Sequence, residues 1–412
     1  MSKLFKFKGL VLVIVIAMLL VLAAGCGSQE TTSTDAADSP RTLSVIFFDW
    51  IPQYDEYAKT IETAYEALHP DIDLQIIDLP GYYDTLDTTT ADVYELDEMG
   101  LYQLYTADRL QPLADEEVPD PDDYFPICKD VAYIDGTWWG VPHWTCTYFM
   151  YYNKNDTELA AAQTFSDLEE VIGGKDHPYG QGLLINMSGD YTQYYYQDAL
   201  VDLYGNATDY FKYNTASNMS PEATDVMKRI VDMMDAGTGR DPLSNKIFDD
   251  LERQFIYGNG RAYVYYAEGL GYMNEIIKQA QNLGDTTLTL DDIAIKPFVE
   301  SDDGDVSQPG FVDSFCLDKS LTGQKRADAM EFINWVTSTE EVVKQIAPTP
   351  DSIRYVSPAR ISVYEDPGLL EICPLYEQLK PVLALASYYR PAADWDWAPG
   401  LNDKLDSMLP VK

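Results

Sequence analysis

The spacing of apolar residues changes period along the chain, and each change marks an element. Thr42 to Phe48 is a β-branched and aromatic run that Asp49-Trp50-Ile51-Pro52 breaks, and Tyr54 to Leu68 then carries apolar residues at helical spacing. This predicts a strand, a loop and a helix. Asp71 to Leu79 reads as a second strand with a turn at Pro80-Gly81-Tyr82-Tyr83, and Asp92 to Asp97 as a third short strand followed by a helix through Leu104. Strands alternating with helices predict a parallel α/β sheet, whose ligands gather at the carboxyl ends of its strands. Trp50, Tyr83 and Asp97 each fall just past such an end.

The stretch Gly136 to Tyr152, GTWWGVPHWTCTYFMYY, joins two apolar runs. Trp138 to Val141 and Tyr148 to Tyr152 have the aromatic and β-branched residues of strands, while Gly136, Gly140 and Pro142 punctuate them. A strand, a short turn and a crossing strand are expected, with Cys146 at the junction. Two readings of Cys146 stand side by side: a small buried hydrophobe, or a nucleophile.

Further on, helical spacing begins at Thr164-Phe165, and helices are expected at Tyr191 to Leu203, Pro221 to Met234 and Phe248 to Tyr257. Gly180 to Asn186 reads as a short strand, and Arg261 to Glu268 as a buried strand with a carboxylate at its end. Leu288 to Val299 is extended, Phe311 to Leu317 another strand, and Lys325 to Ser338 an amphipathic helix. No internal repeat or second tether interrupts the body. Its length exceeds what one core usually supports, so two lobes are expected, 41–145 plus 300–345 and 146–299 plus 346–412.

The amino terminus adds an address. Lys3, Lys6 and Lys8, the apolar run Leu10 to Ala24 and the small residues before Cys26 form an export leader over residues 1–25, not a membrane span. Ala23-Ala24-Gly25-Cys26 resembles a bacterial lipobox in which Cys26 is lipidated, with residues 26–40 as a flexible polar tether. The protein is then anchored by lipid to the outer face of the membrane; simple secretion is the other reading. The net charge of −40, more negative still without the leader's lysines, argues against nucleic acid and favours the approach of cations. Solubility alone would also account for that charge.

The chain has five cysteines and three histidines, with no CxxC and no histidine cluster, so neither a zinc site nor a Ser-His-Asp triad is supported. His143 lies three residues from Cys146, which leaves a Cys-His pair open.

Lipobox, tether, strand-loop-helix opening, the segment Phe255 to Ala262 and the closing helices together resemble the extracellular solute-binding lipoproteins that serve sugar and cofactor importers. That resemblance implies an α/β, two-lobed, periplasmic-binding-protein-like (type II) fold with a ligand cleft between lobes. Within it, GVPHWTCTYFMYY around Cys146 and GNGRAYVYYAEG before Glu268 resemble the cysteine and glutamate segments of thiaminase I, the thiamine-degrading aminopyrimidine transferases. What this implies is a nucleophile at Cys146, its base at Glu268, a binding carboxylate and tyrosine at Asp97 and Tyr83, and ring-holding residues at Phe311 and Asp313. Phe311 stands where the family has a tyrosine.

Under this resemblance the reaction adds the Cys146 thiol to the pyrimidine of thiamine, so that neutral thiazole leaves and an amine or thiol acceptor takes its place. No metal or organic cofactor is expected. A thiol is mostly protonated at neutral pH, so Glu268 is expected to take its proton, and burial among Tyr263, Tyr265 and Tyr266 would bring that carboxyl near working pH. Asp97 and Asp313 would hydrogen-bond the pyrimidine. Trp50, Tyr83 and Phe311 would offer flat faces to the ring and its cation. The competing reading is a non-catalytic lipoprotein that delivers a sugar, thiamine or pyrimidine to an importer permease; for it, Glu268 is a solvated carboxylate and the aromatics are packing.

Overall fold

The helix expected from Tyr54 to Leu68 forms over those same residues, and it shows how the chain builds its first layer. Tyr57, Ala58, Ile61 and Tyr65 lie on one face and are buried, while acidic and basic residues cover the other. This helix, α1, packs beside β1 (Arg41–Ile46) and β2 (Ile72–Ile76), which pair in parallel. On the other edge of β1 lies β3 (Val93–Leu96), also parallel, with all four residues buried. Between β2 and β3 the expected turn becomes a short helix, α2 (Tyr82–Leu86), and α3 (Glu98–Thr106) follows β3 directly.

The structure, a computed structural model, describes residues 40–79, 81–187, 190–204, 212–235, 248–302, 307–349, 352–388 and 400–409. Cys26, the leader and the tether expected before residue 40 lie outside the described residues. The chain divides into Met1–Pro40 and Arg41–Lys412, and everything below belongs to the second unit. Among the described residues no helix is long and apolar enough to cross a membrane.

The first sheet is mixed rather than parallel throughout. After the parallel trio, β9 (Gln308–Leu317) runs antiparallel to β3, and β4 (Val141–Thr147) antiparallel to β9. A short strand, β10 (Ala386–Ser387), completes the edge. The parallel expectation came from the opening of the chain alone; β9 returns to the sheet from far along the sequence and enters it the other way.

Cys146 therefore lies inside β4, not in a turn. Pro142, expected to punctuate the strand, is accommodated because the pairing with β9 shifts register between Asp313 and Ser314. Trp144 faces Asp313 and Pro142 faces Ser314, so His143 is the extra residue of a β-bulge.

The chain then crosses to a second sheet through Tyr148 and β5 (Phe149–Asn153). That sheet has the order β8, β5, β7, β6, where β6 is Leu183–Ile185, β7 is Ala262–Tyr265 and β8 is Ile293–Lys296. Both faces of the crossing strand are used. Tyr148, Met150 and Tyr152 join one apolar cluster, Phe149 and Tyr151 the other, as the two-residue period of a strand requires. Helix α4 (Asp190–Tyr204) covers the second sheet with Tyr195, Tyr196, Ala199 and Leu200 in its cluster.

A close approach fixes the entry to β7. A Cβ on Gly260 would fall 2.3 Å from Leu184, so only glycine lets β7 sit against β6 there. Two residues past the end of β7 the chain turns at Ala267-Glu268 into α5 (Gly269–Leu283), a helix the expected extended run from Leu288 did not include.

Candidate active site

Of the four described cysteines, Cys128, Cys316 and Cys373 are buried and Cys146 alone is half-buried. It stands in β4 opposite Phe311 of β9, with Trp144 opposite Asp313. On a pleated pair these cross-strand neighbours share one face, so the sheet itself sets thiol, aromatic ring and carboxylate side by side. The thiol contacts the carbonyl of Thr147 at 3.9 Å. Burial pushes it well above the ordinary thiol range, and the charges of Glu268 and then Asp313 push the same way. Those two carboxylates are the ones that act on it most strongly. The Cys-His pair that the sequence left open does not form, because His143 spends both ring nitrogens on Glu95 and Gln345.

Glu268 caps the start of α5 in helical conformation and makes no capping bond with its side chain, which leaves the carboxylate available. It is half-buried, and burial raises its proton affinity from 4.5 to about 7. Glu268 also acts on Tyr151, whose hydroxyl donates to the Tyr266 carbonyl at 2.7 Å. Backbone and base thus share the loop that joins β7 to α5.

Four other carboxylates act on Asp313. Burial holds it well above the carboxylate range, and Glu95, Asp97, Glu98 and Glu268 add to the effect in that order. Asp97 is the cap of α3 and accepts from the Gly100 amide at 2.7 Å, while the Tyr83 hydroxyl donates to its other oxygen in a short bond. Glu98, 2% exposed, accepts from the Val312 amide at 3.3 Å, tying α3 to β9 beside Asp313. Asp97 and Tyr83 therefore form one bonded pair, and Asp97 acts electrostatically on Asp313. Glu95 and Glu98 were not anticipated. Two acids at alternate and adjacent positions around Asp97 were a visible signal, but a strand and a helix start hide acids equally well on a solvated face.

Phe311 is ringed by tyrosines. Its centroid lies 5.4 Å from Tyr194, 5.8 Å from Tyr266 and 6.3 Å from Tyr148, each edge to face. Tyr148 and Tyr266 stack at 4.8 Å, and the Tyr266 hydroxyl donates to that of Tyr148 at 3.0 Å. Tyr191, also on α4, faces Tyr266 at 6.2 Å. The tyrosines of α4 are the aromatic contribution that sequence reasoning left unassigned.

Trp50 is not drawn in. It is 72% exposed in the turn after β1, and no ring partner is described for it. Of the aromatics that follow β1, Phe47 is buried in the core and Phe48 is half-buried, edge-on to Tyr82 at 5.2 Å. Among the described residues no group of three or more His, Cys, Asp and Glu has the arrangement to hold a metal ion.

A thiol, a base near neutrality, a proton-holding acid and an aromatic surround can support nucleophilic addition to a cationic or protonated ring. Comparison with known proteins gives that chemistry a context. Residues 147–289 match the Thiaminase-1 domain. The matched segment contains Tyr148, Tyr191, Tyr194, Tyr266 and Glu268 and begins one residue after Cys146. Over 396 residues the chain is 25% identical to Thiaminase-1 of Paenibacillus thiaminolyticus, covering 93% of this chain and 90% of that protein. Among solved structures, Clostridium botulinum thiaminase I in complex with thiamin superimposes with a TM-score of 0.70 at 22% identity, over 89% of this chain and 97% of that one. The sugar-binding protein MalE of Xanthomonas citri does so with a TM-score of 0.66 at 17% identity, over 89% and 97%. The fold is the two-lobed type II periplasmic-binding-protein fold shared by enzymes and binding proteins alike.

Proposed function

We propose that this protein is a thiamine-degrading transferase that joins the pyrimidine of thiamine to Cys146, releases thiazole and passes the pyrimidine to an amine or thiol. The observation that carries this reading is Cys146 itself, the one half-buried thiol among the described residues, with Glu268 and Asp313 as its two strongest electrostatic neighbours. A binding protein gains nothing from a thiol so placed. The domain match and the thiaminase relatives supply the substrate.

The proton inventory follows from the site. Glu268, with an affinity of about 7, takes the thiol proton as sulfur bonds to the pyrimidine ring. Asp313, which burial keeps protonated, gives its proton to a ring nitrogen as electrons move into the ring. The ring electrons then return through the methylene, the carbon–nitrogen bond to the thiazolium breaks, and thiazole leaves neutral. Glu268 loses its proton to solvent and is again a base for the incoming acceptor, which bonds to the methylene carbon. Glu268 takes a proton from the acceptor and passes it to the Cys146 sulfur as that sulfur is expelled, and the ring proton returns to Asp313. The positive charge that thiamine brings leaves as the proton that Glu268 gives to solvent.

The carboxylates that make the empty site a poor place for a thiolate make it a good one for a cation. Thiamine's positive charge beside Glu98 and Glu268 offsets their field, so the thiol ionises most readily with substrate bound. The tyrosines around Phe311 add aromatic faces, each worth about 0.5 to 2 kcal/mol toward a cation.

Export and lipidation at Cys26, a fold divided into the two lobes expected from the sequence, and a Trp50 that offers a flat face to bound ligand belong to the same proposal. The leader and lipobox residues support the first of these. The reading is tested by incubating protein with thiamine and an aromatic amine and following thiazole by chromatography. Thiazole release that disappears in Cys146→Ser is expected; thiamine bound yet left intact with every amine and thiol offered would make the protein a carrier instead.

A further inference from the structure

The residue inserted by the β4 bulge has no place in the chemistry so far, yet it is packed directly behind it. In a regular strand His143 and Trp144 would point to opposite faces; at the bulge their rings lie 4.1 Å apart. His143 is 2% exposed and Glu95 fully buried, and His143 Nδ1 lies 2.6 Å from Glu95 Oε1. His143 Nε2 lies 2.9 Å from Gln345 Oε1. The orientation of that amide is set from behind, since Gln345 Nε2 donates to the Val336 carbonyl at 2.7 Å and the Tyr57 hydroxyl donates to Gln345 Oε1 at 3.4 Å.

Both ring nitrogens therefore face oxygen, and the Gln345 oxygen can only accept. Nε2 must carry a hydrogen. The other nitrogen meets a carboxyl whose second oxygen already accepts from the Phe48 amide at 3.1 Å. A proton has to sit between Nδ1 and Glu95, on one or the other. In either position the pair carries no net charge.

The groups around it give that neutrality a consequence. Facing Asp313 are Glu95 on β3, Asp97 and Glu98 at the start of α3, Glu268 before α5, Cys146 on β4, Tyr57 on α1 and Tyr82 on α2. Facing Glu95 are His143, Tyr54 and Tyr57 as well as Asp313. Arg354, behind Gln345, donates to the Gln345 carbonyl at 2.5 Å and lies 5.6 Å from the Tyr57 ring.

We propose that His143 is a positioning residue for the transferase reaction: by sharing a proton with Glu95 it removes one negative charge from behind Asp313, so that Asp313 can release its proton to the pyrimidine. This rests on the transferase reading. Without the imidazole, Glu95 stands as an uncompensated anion against an acid that three other carboxylates already oppose, and Asp313 holds its proton too tightly to give it up.

The first test needs no variant. The chain has three histidines, so ring nitrogen-15 spectra of labelled wild-type protein resolve His143. Expected across neutral pH is an Nε2 that bears hydrogen and a far-downfield proton bridging Nδ1 to Glu95. An Nε2 without hydrogen overturns the proposal. The second test follows log kcat/KM against pH, using the titration limb that Asp313→Asn abolishes. In His143→Asn that limb should move to higher pH by about one unit, and adding Glu95→Gln should bring it back. Equal losses at every pH, with no return in the double variant, would make His143 a packing residue only. If wild type releases no thiazole the transferase reading fails by itself, while the nitrogen spectrum still decides the charge of the pair.

Discussion

Replacing Glu268 by glutamine should remove activity and, at the same time, stabilise the fold in a pH-dependent way. The carboxyl is carried into a half-buried position at the start of α5 without a side-chain capping bond, and its affinity rises from 4.5 to about 7. The sign follows from which state ionises first. Below the unfolded value both states hold the proton and the group contributes nothing. As pH rises toward 7 the unfolded chain releases its proton while the folded one keeps it, so stability is lost through that window and the loss is complete above it. The shift corresponds to about 3 kcal/mol at most, less whatever solvent reaches the half-buried group. Glutamine does not titrate. Urea melts of Glu268→Gln against wild type should therefore differ little at pH 4 and favour the variant at pH 8, by up to about 3 kcal/mol. Turnover should fall about 10² to 10⁴-fold at pH 8, the range typical for loss of a general base. A stability difference that is the same at both pH values would refute the reasoning, since it would mean that Glu268 is not held against its charge. So would a variant that still turns over at the wild-type rate.

Alkylation of Cys146 by neutral iodoacetamide should be slow at pH 7 and climb with pH beyond the range of an ordinary thiol, as burial, Glu268 and Asp313 demand; mass mapping of the modified peptide checks it, and rapid labelling at pH 7 would contradict it. Thiamine association, followed by stopped-flow fluorescence, should slow as salt is added, and an on-rate independent of ionic strength would assign the charge of −40 to solubility alone. Gly260→Ala should destabilise the second sheet by about 1 to 3 kcal/mol in denaturant melts because its Cβ would meet Leu184 at 2.3 Å; an unchanged midpoint would show that β6 can give way.

How much of this was legible in the sequence depended on whether a feature was local. The α1 helix appears residue for residue because its apolar spacing, from Tyr57 through Tyr65, needs only its own neighbours. Cys146 and Glu268 were picked out from local segments; the charge of Asp313 acts on Cys146, and that of Glu268 on Asp313. The features that escaped were made by pairing at a distance. The bulge at His143 exists only because β9, more than a hundred residues later, pairs across it, and that same pairing turns an expected parallel sheet into a mixed one. Glu95 could not be recognised as buried without knowing that His143 would meet it at 2.6 Å. The α5 segment was given no assignment, although Leu270, Met273, Ile276, Ile277 and Ala280 lie at helical spacing; Gly269 and Gly271 at its start weaken that signal. Tyr191 and Tyr194 were seen as members of a helix and not as part of the site, because a chain with 31 tyrosines gives no reason to single out two.

The central claim is that Cys146 forms a bond to the pyrimidine of thiamine, and peptide mass spectrometry tests it most directly. Protein mixed with thiamine in the absence of any added acceptor, quenched in acid and digested, should carry the mass of the pyrimidinylmethyl group on the peptide that contains Cys146. Adding an aromatic amine before the quench should discharge it. Cys146→Ser should bind thiamine and acquire no such mass. Thiazole released by wild type with no adduct on Cys146, or an adduct on Cys128, Cys316 or Cys373, would contradict the account.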